Sequence, residues 1–357
     1  MKHKFPILIS LLAVLILLSL PVGVQGQSDL PKIRVGFAPP VYDTLDYFGQ
    51  FAAGFEAELQ ALGVEYDFIA RASAREANIQ QQIDIVDDLI TLGVDYIIVG
   101  PIDYFAIVPA LQAANKAGIP IIVVNHLNIH PEDAGVDVMA YSGYSHAEGG
   151  RITAEWALEE LLEPGDQVGL MFAEPGNQIS EERVGTARDI WTEAGIEIAF
   201  EHYAYWEQQQ AFDATERLIL AYPDVKAIYA ANSAMAMGVA VALQDMGVTD
   251  VAVMGYGAVA PELDMIWEGL IRGSIFRDSR SSGYYIAQAI YNDLTGGEVL
   301  KQYPLDMIMI SSREDIARYI PVETIELLEN KEEVLALREE LSEAEAEAEP
   351  EPESSGS

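Results

Sequence analysis

The sequence of 357 residues contains no cysteine. Without a thiol, the chain has no disulfide bond, no thiolate metal ligand, no cysteine nucleophile and no lipid anchor on an N-terminal cysteine. Basic residues are also scarce, with 20 Lys and Arg against 57 Asp and Glu and a formal net charge of −37. Proteins bind nucleic acid through clusters of Lys and Arg that neutralise phosphates, so this composition argues against a nucleic-acid partner.

Motifs for catalysis or metal binding are few. His126 and His130 lie four residues apart in a loop before Pro131, without a third ligand at zinc spacing. We therefore expect no metal and no cofactor. Ser145 follows a strand and opens a helix, as in a nucleophile elbow, but the final glycine of that motif is missing. We expect a protein that is not an enzyme, and a secreted hydrolase that uses Ser145 or a Glu pair is the alternative.

Long apolar runs are confined to the N-terminus. Lys2 and Lys4 precede an apolar run from Ile7 to Leu20, and Val24 to Gly26 resembles a small-residue cleavage site. This pattern predicts a secretory signal peptide over residues 1–26. A membrane anchor is the alternative, but the run is shorter than the ~20 residues that span a bilayer. We expect a periplasmic or extracellular protein that is not anchored through a cysteine-linked lipid.

Half of the chain is apolar, which is ample material for packed cores. Strand-like runs such as Ile33–Pro39 and Ile119–Asn125 alternate with amphipathic stretches such as Phe48–Leu62. This alternation predicts an α/β fold with parallel sheets, right-handed crossovers and helices on both faces. Roughly ten such units exceed one open sheet, so two α/β lobes are expected.

The C-terminal region, residues 329–357, has a different composition. It is rich in Glu, which alternates with Ala and then with Pro before a final Ser-Ser-Gly-Ser. Glu and Ala favour helix, whereas charge repulsion and the prolines oppose it. We predict an acidic, disordered tail.

The residues that follow the predicted strands indicate the kind of ligand, because open α/β sheets bind ligands beyond the carboxyl ends of their strands. These residues are rich in aromatic, amide and guanidinium groups: Pro39 to Phe48, Pro101 to Tyr104, Asn125 and His126, Glu174 to Arg183, Tyr205 and Trp206, Asn232 and Ser233, Gly257, and Arg277 and Asp278. Polar groups orient a small polar ligand, and aromatic faces cover its apolar side. A polyol such as a sugar suits this combination.

Segments spread along the chain resemble a known family. They are Gly54 to Glu56, Gly100 and Pro101, Ala110 to Ala114, Ala117 to Asn125, Gly149 and Gly150, Tyr222 to Asn232, Met235 to Gly238, and Val253 to Tyr256. Together they are similar to the ribose-binding-type periplasmic solute-binding proteins, whose type I fold is also the core of lactose-repressor-type regulators. A signal peptide stands where a repressor would carry its DNA-binding headpiece, so a repressor is not expected.

The resemblance implies two Rossmann-like lobes with parallel sheets, joined by three crossovers near 143–145, 277–278 and 306–307. The implied lobes are residues 31–143 plus 278–306 and residues 144–277 plus 307–328. Such proteins close on a small molecule, usually a monosaccharide, and deliver it to the membrane permease of an ABC-type importer or to a chemoreceptor. We expect a monomeric solute-binding protein for a sugar or sugar derivative, with a ligand-sensing module for a receptor as a further alternative.

Several residues match the family's ligand site. Tyr47 and Phe48 stand where the family has an aromatic pair, and Trp206 stands where its second lobe supplies an aromatic side chain. Asn232 and Arg183 match an asparagine and an arginine of the family's site. The resemblance implies that all of these side chains contact the ligand.

Other ligand-site positions depart from the family. Asn125 and His126 stand where the family has an Asp-Arg pair, Gly257 stands where it has an Asp, and Arg277 stands where it has a Gln. Two carboxylates, which are strong acceptors for sugar hydroxyls, are lost, and a guanidinium is gained at Arg277 while the family's arginine is replaced by His126. These changes weaken the case for a plain neutral aldopentose.

The departures lead to a hypothesis about the charge of the ligand. A negatively charged or acceptor-rich group would face Arg183 and Arg277, because a guanidinium presents a planar donor fork to carboxylates and phosphates. The alternative is that Arg277 pairs with Asp278 or another carboxylate and only braces the hinge.

Overall fold

The computed structural model of the protein describes residues 30–74, 78–126 and 131–348. The predicted signal peptide, His130 and residues 349–357 lie outside these ranges. Within them, the strands form two six-stranded sheets, and no helix is both long and apolar enough to cross a membrane.

The elements follow one another in the predicted strand–helix alternation. The first are β1 (Ile33–Ala38), α1 (Tyr47–Ala61), β2 (Tyr66–Ala70), α2 (Ile79–Leu92), β3 (Tyr96–Val99), α3 (Val108–Lys116), β4 (Ile121–His126) and β5 (Ala140–Tyr144). The next are α4 (His146–Glu160), β6 (Gln167–Phe172), α5 (Gln178–Ser180), α6 (Thr186–Glu193), β7 (Glu197–Tyr203), α7 (Gln208–Ala221), β8 (Val225–Ala230), α8 (Ser233–Met246), β9 (Ala252–Gly257), α9 (Ala260–Glu268) and β10 (Gly273–Arg277). The last are α10 (Ser279–Thr295), β11 (Gln302–Pro304), β12 (Met307–Ile310), α11 (Arg313–Tyr319), α12 (Val322–Ile325) and α13 (Lys331–Ala348).

The two sheets have closely related topologies. The first has the order β11-β5-β4-β3-β1-β2, and the second has the order β12-β10-β9-β8-β6-β7. All pairs in the first sheet are parallel, and in the second sheet only β10 and β12 are antiparallel. The predicted fold class, two α/β lobes built on largely parallel sheets, is confirmed.

The chain passes between the sheets three times over very short segments. It crosses at Ser145 between β5 and α4, at Asp278 between β10 and α10, and at Leu305 and Asp306 between β11 and β12. These positions lie at or beside the crossovers that the family resemblance implied. On this basis we propose the lobe boundaries given above.

The strands of the first sheet bury both of their faces. Ile98 and Ile122 face a cluster that includes α1 and α10, whereas Ile97 and Ile121 face a second cluster with α2 and α3. This alternation of neighbouring residues is the period of two that a strand imposes, and both faces are apolar because helices cover both sides.

Helices α1 and α10 approach each other unusually closely over the first sheet. A Cβ atom at Gly283 of α10 would lie 2.1 Å from the Phe51 carbonyl oxygen of α1, and one at Gly54 would lie 2.2 Å from the Arg280 carbonyl oxygen. Real Cβ atoms do not come so near to backbone atoms, so this helix pair depends on a glycine from each helix.

The C-terminal region differs from its prediction as a disordered tail. Residues 331–348 form helix α13, in which Val334 is fully buried and Leu337 and Leu341 pack against the core. Arg338 donates hydrogen bonds to the Ala317 and Ile320 carbonyl oxygens at the end of α11. The prediction was wrong over this stretch because it weighed net charge above the apolar residues that recur at helical spacing.

Candidate functional site

A cavity of about 480 Å³ lies where the carboxyl ends of the two sheets meet. Parallel strands of both lobes end at this point, which is the usual ligand position in open α/β sheets. The predicted ligand residues on its wall are Tyr47, Phe48, Asn125, Arg183, Trp206, Asn232 and Arg277.

Two predicted ligand residues lie behind the cavity wall. His126 is 2% exposed and its ring contacts Tyr104 and His146 instead of the cavity. Gly257, at the end of β9, has φ +149° and borders a smaller space beneath the cavity. A Cβ atom at Gly257 would lie 2.2 Å from Ser233 Oγ, so close packing as well as φ favours glycine there.

Aromatic rings form one side of the cavity. Tyr47 and Phe48 open α1, where the Asp46 carboxylate caps the helix by accepting a hydrogen bond from the Gly49 amide. Their rings meet edge to face at 5.1 Å between centroids. Trp206 faces them from the loop after β7, and its carbonyl oxygen accepts a hydrogen bond from Asn232 Nδ2 at 3.2 Å.

Arg183 lies in a π-helical turn, Glu181–Gly185, and is 4% exposed. One terminal nitrogen donates to the Ala231 carbonyl oxygen at 2.9 Å, and Nε donates to His146 Nδ1 at 3.2 Å. The guanidinium carbon lies 4.2 Å from the centroid of the Tyr256 ring. Arg183 is therefore fixed in orientation on the second-lobe side of the cavity.

Arg277 joins the two lobes at the floor of the cavity. From the end of β10 it donates a hydrogen bond to Asn125 Oδ1, at the end of β4, over 2.7 Å. Its guanidinium carbon lies 4.6 Å from the Tyr47 ring centroid and 5.1 Å from that of Tyr256. The Arg277 Nε is buried without a hydrogen-bond partner among the described residues. Asp278 instead caps α10, accepting from the Ser281 amide.

Backbone strain is concentrated around this cavity. The non-glycine residues with positive φ in the described part of the chain are Asn125 at 74°, Tyr205 at 54°, Trp206 at 64° and Ala258 at 46°. Each lies at or just beyond the carboxyl end of a strand that points toward the cavity. Such conformations cost of order 1–3 kcal/mol each and persist where the surrounding structure fixes them, commonly at ligand sites.

A buried chain of hydrogen bonds crosses the boundary between the lobes behind Arg183. Because an arginine only donates, His146 Nδ1 must accept the hydrogen bond from Arg183 Nε, and His146 Nε2 then carries the ring proton and donates to His126 Nδ1 at 2.9 Å. Tyr104 Oη lies 2.6 Å from the same His126 nitrogen, and Tyr256 Oη lies 3.2 Å from His146 Nδ1. Arg183 thus selects the tautomer of His146, and the bond from His146 to His126 joins the two lobes.

Both histidines in this chain favour the neutral form. Burial lowers the pKa of His126 well below its usual value, and the nearby Arg183 and Arg277 lower it further. Burial, Arg183 and His126 likewise lower the pKa of His146. Protonation of either ring would place a third positive charge beside two guanidinium groups.

We expect acid to destabilise the protein through these histidines. The unfolded chain protonates them as the pH falls through about 6.5, whereas the folded protein does not until lower pH. Their stabilising contribution is therefore complete above pH 6.5 and is progressively lost as the pH falls below it, at up to about 1 kcal/mol per pH unit for each histidine.

Urea unfolding between pH 7 and pH 5 tests this expectation against His146→Gln, which keeps one acceptor and one donor without a titrating group. Burial raises the pKa of Glu262 to about 7 and that of Asp46 to about 6. The stability that these two carboxyls contribute is present at low pH and is lost as the pH rises. Both carboxyls are present in the unmodified protein and in His146→Gln, so their effect cancels when the two stability curves are compared. Parallel stability curves would contradict the expectation, since the variant curve should fall less steeply toward pH 5.

The residues considered for catalysis lie in ordinary structural positions. Ser145 Oγ caps helix α4 by accepting from the Glu148 amide at 3.3 Å. Of the other histidines, His202 lies on β7 at the edge of the second sheet. Among the described residues, no group of three or more His, Asp and Glu side chains is arranged to hold a metal ion.

The sequence did not single out some cavity residues. Tyr256 stacks on both arginines, yet in the sequence it is only one aromatic residue in an apolar strand. Glu207 lines the cavity beside Trp206. Glu262 lies fully buried behind the wall and accepts a hydrogen bond from Ser233 Oγ at 2.5 Å. The position of Tyr256 near the end of a strand could have indicated that it lines the ligand site, whereas nothing in the sequence distinguishes Glu262 from the other acidic residues.

Known proteins share this sequence pattern. A sequence profile of the periplasmic binding protein domain matches residues 35–298. A D-ribose/D-allose-binding protein of Pseudomonas aeruginosa is 25% identical over 228 residues, which cover 63% of this chain and 71% of that protein. A D-allose-binding periplasmic protein of Escherichia coli is 27% identical over 258 residues, which cover 71% of this chain and 81% of that protein.

Solved structures share the fold. An ABC transporter periplasmic solute-binding protein from Actinobacillus succinogenes with bound D-allose superposes with a TM-score of 0.70 at 27% identity, covering 78% of this chain and 97% of that one. A solute-binding protein from Agrobacterium vitis has a TM-score of 0.73 at 20% identity, covering 81% and 98% of the two chains. Because the profile match spans most of both lobes and the fold agrees, the chain belongs to the periplasmic binding protein family.

Proposed function

We propose that this protein is an exported, monomeric solute-binding protein that captures a monosaccharide between its lobes. It would deliver the sugar, chemically unchanged, to the permease of an ABC-type importer. The observation that carries the proposal is the cavity at the meeting point of the two sheets, with aromatic walls and polar groups from both lobes. Relatives named for ribose and allose, and the solved relative with bound D-allose, support the sugar class.

The arrangement of the cavity suits binding that is coupled to closure. Phe48 and Asn125 belong to the first lobe, whereas Arg183 and Trp206 belong to the second. A ligand that contacts all four side chains does so only when the lobes are together, so binding shifts the protein toward the closed form. A permease can then distinguish loaded from empty protein by shape.

Thermal melting against a panel of monosaccharides and their derivatives tests the proposal. A true ligand stabilises the folded state by about 2.7 kcal/mol at 100 times its Kd, and the melting temperature rises further with concentration. The panel should include D-ribose, D-allose, D-galactose, D-galacturonate and D-ribose 5-phosphate. The absence of any concentration-dependent shift, together with turnover of chromogenic glycosides or esters, would instead support the hydrolase alternative.

A further inference from the structure

The cavity carries opposite charges at its floor and at its rim. Arg183 and Arg277 are 4% and 7% exposed, so their charges lie deep inside. Asp43 is exposed and Glu207 half-buried, and both line the same cavity near its opening. The Asp46 carboxylate lies between the floor and the rim, and its oxygens accept hydrogen bonds from the backbone amides of Gly49 and Asp43. The floor is therefore positive although the protein as a whole is strongly acidic.

Within the part of the chain that the structure describes, Arg277 has no directly paired carboxylate, although the buried Glu262, whose pKa burial raises to about 7, interacts with it electrostatically. Among the described residues, no carboxylate forms an ion pair with Arg277. Asp278 accepts hydrogen bonds from the Ser281 amide and hydroxyl, and Glu262 accepts one from Ser233. A buried charge without a directly paired counter-charge is unfavourable, and aromatic faces offset only part of that cost.

The donors of Arg277 are also incompletely used. One terminal nitrogen donates to Asn125 Oδ1, and no hydrogen bond from the rest of the guanidinium to a described residue is formed. A guanidinium offers five N–H donors in a rigid fork that matches the paired oxygens of a carboxylate or phosphate. The contact with Asn125 fixes that fork at the cavity floor.

We propose that the bound sugar is an acidic monosaccharide whose anionic oxygens contact Arg277 at the cavity floor. This inference rests on the proposed function and specifies its substrate class. The hydroxyl groups of the sugar then point toward the rim, where the Asp43 and Glu207 carboxylates can accept from them. A volume of about 480 Å³ is within the range of small-molecule pockets and accommodates a monosaccharide with one such substituent.

Isothermal titration of the full chain with matched sugars tests the proposal. D-galacturonate and D-glucuronate carry a carboxylate, D-ribose 5-phosphate carries a phosphate, and D-galactose, D-glucose and D-ribose are their neutral counterparts. Methyl D-galacturonate keeps the shape of the uronate but removes its charge. We expect an acid to bind the unmodified protein at least about tenfold more tightly than its neutral counterpart. If that acid is D-galacturonate, it should also outbind its methyl ester.

Arg277→Gln and Arg313→Gln form a matched pair of variants. Arg313 stacks on Trp267 in the second lobe, away from the cavity. Arg277→Gln should lower the affinity for the acid by about 10- to 100-fold, and by clearly more than the affinity for the neutral counterpart. Arg313→Gln should leave both affinities unchanged. The comparison of acid, ester and neutral sugar on the unmodified protein needs no variant, so it tests the proposal even if Arg277→Gln fails to fold.

The outcomes separate the two proposals. Tight binding of a neutral sugar with equal or weaker binding of its acid would overturn the acidic-ligand proposal and leave the sugar-binding function in place. The contact with Arg277 would likewise be overturned if an acid binds tightly but Arg277→Gln, when folded, retains that binding. Binding of none of the sugars, acidic or neutral, would overturn both proposals.

Discussion

Replacing Trp206 with alanine is expected to lower the affinity for the bound monosaccharide by roughly 100-fold, since truncating an aromatic anchor in a desolvated pocket typically costs about 2–4 kcal/mol of binding free energy. The indole lines the cavity opposite Tyr47 and Phe48, and the Arg183 guanidinium lies 5.6 Å from its ring centroid. Its loss removes one wall of the site and an aromatic face for Arg183.

The unliganded Trp206→Ala protein should remain folded, with a loss of about 1–2 kcal/mol in unfolding free energy, less than a closed core site would give. The reason is that Trp206 borders a space that is already open, so the substitution enlarges the cavity instead of creating a sealed void. Urea unfolding and titration with the best ligand of the panel measure the two effects separately.

Trp267→Ala is the matched control, because Trp206 and Trp267 are both 6% exposed. Trp267 packs in α9 against Arg313 and is not part of the cavity wall. Its truncation should cost about 3–5 kcal/mol of stability, as for other core tryptophans, and leave the affinity of the folded fraction unchanged. If both variants lost stability but kept their ligand affinity, Trp206 would be a core residue without a part in binding.

Replacing Gly283 with alanine is expected to lower the unfolding free energy by about 3 kcal/mol, the upper end of ordinary overpacking. The new methyl group would lie 2.1 Å from the Phe51 carbonyl oxygen and 2.6 Å from the Phe55 amide nitrogen. Both are backbone atoms of α1, so no side-chain rotation relieves the clash and the helices must separate. In an unconstrained helix the same change would stabilise by up to about 1 kcal/mol.

Gly185→Ala provides the comparison for this prediction. A Cβ atom at Gly185 would lie 2.8 Å from Glu181 Oε2, the far end of a flexible side chain that can move away. We therefore expect a change in unfolding free energy within about 1 kcal/mol of zero, because helix propensity and the small displacement oppose each other. A Gly283→Ala protein as stable as Gly185→Ala would mean that α1 and α10 can separate at no cost.

Much of the fold could be predicted from the sequence because its signals are local. The run Ile33–Pro39 becomes β1 (Ile33–Ala38), and Gly93, the residue type that most often ends a helix, takes the left-handed conformation with φ 67° after α2. Strands β11 and β12 were not predicted, since they have only three and four residues. Their stability comes from pairing at sheet edges, which a local pattern does not encode.

The candidate site was predictable only in part. The aromatic and guanidinium residues could be named because they follow strands or match positions of a family. Their contacts could not, because the Arg277–Asn125 hydrogen bond joins residues 152 apart and the His126–His146 bond spans a change of lobe. For the same reason, the prediction that His126 lines the cavity was wrong. Its ring is held behind the cavity wall by Tyr104 and His146, which are remote from it in sequence.

The brevity of the three crossings restricts how the lobes can move. Each crossing is only one or two residues long and is anchored on both sides by a strand or by a helix that starts at once. With three such tethers, sliding of one lobe over the other would stretch at least one of them. Relative motion is thereby restricted to rotation close to the crossings, so displacement grows with distance from them. A distance probe placed on the far rim of each lobe should therefore report closure with the greatest sensitivity.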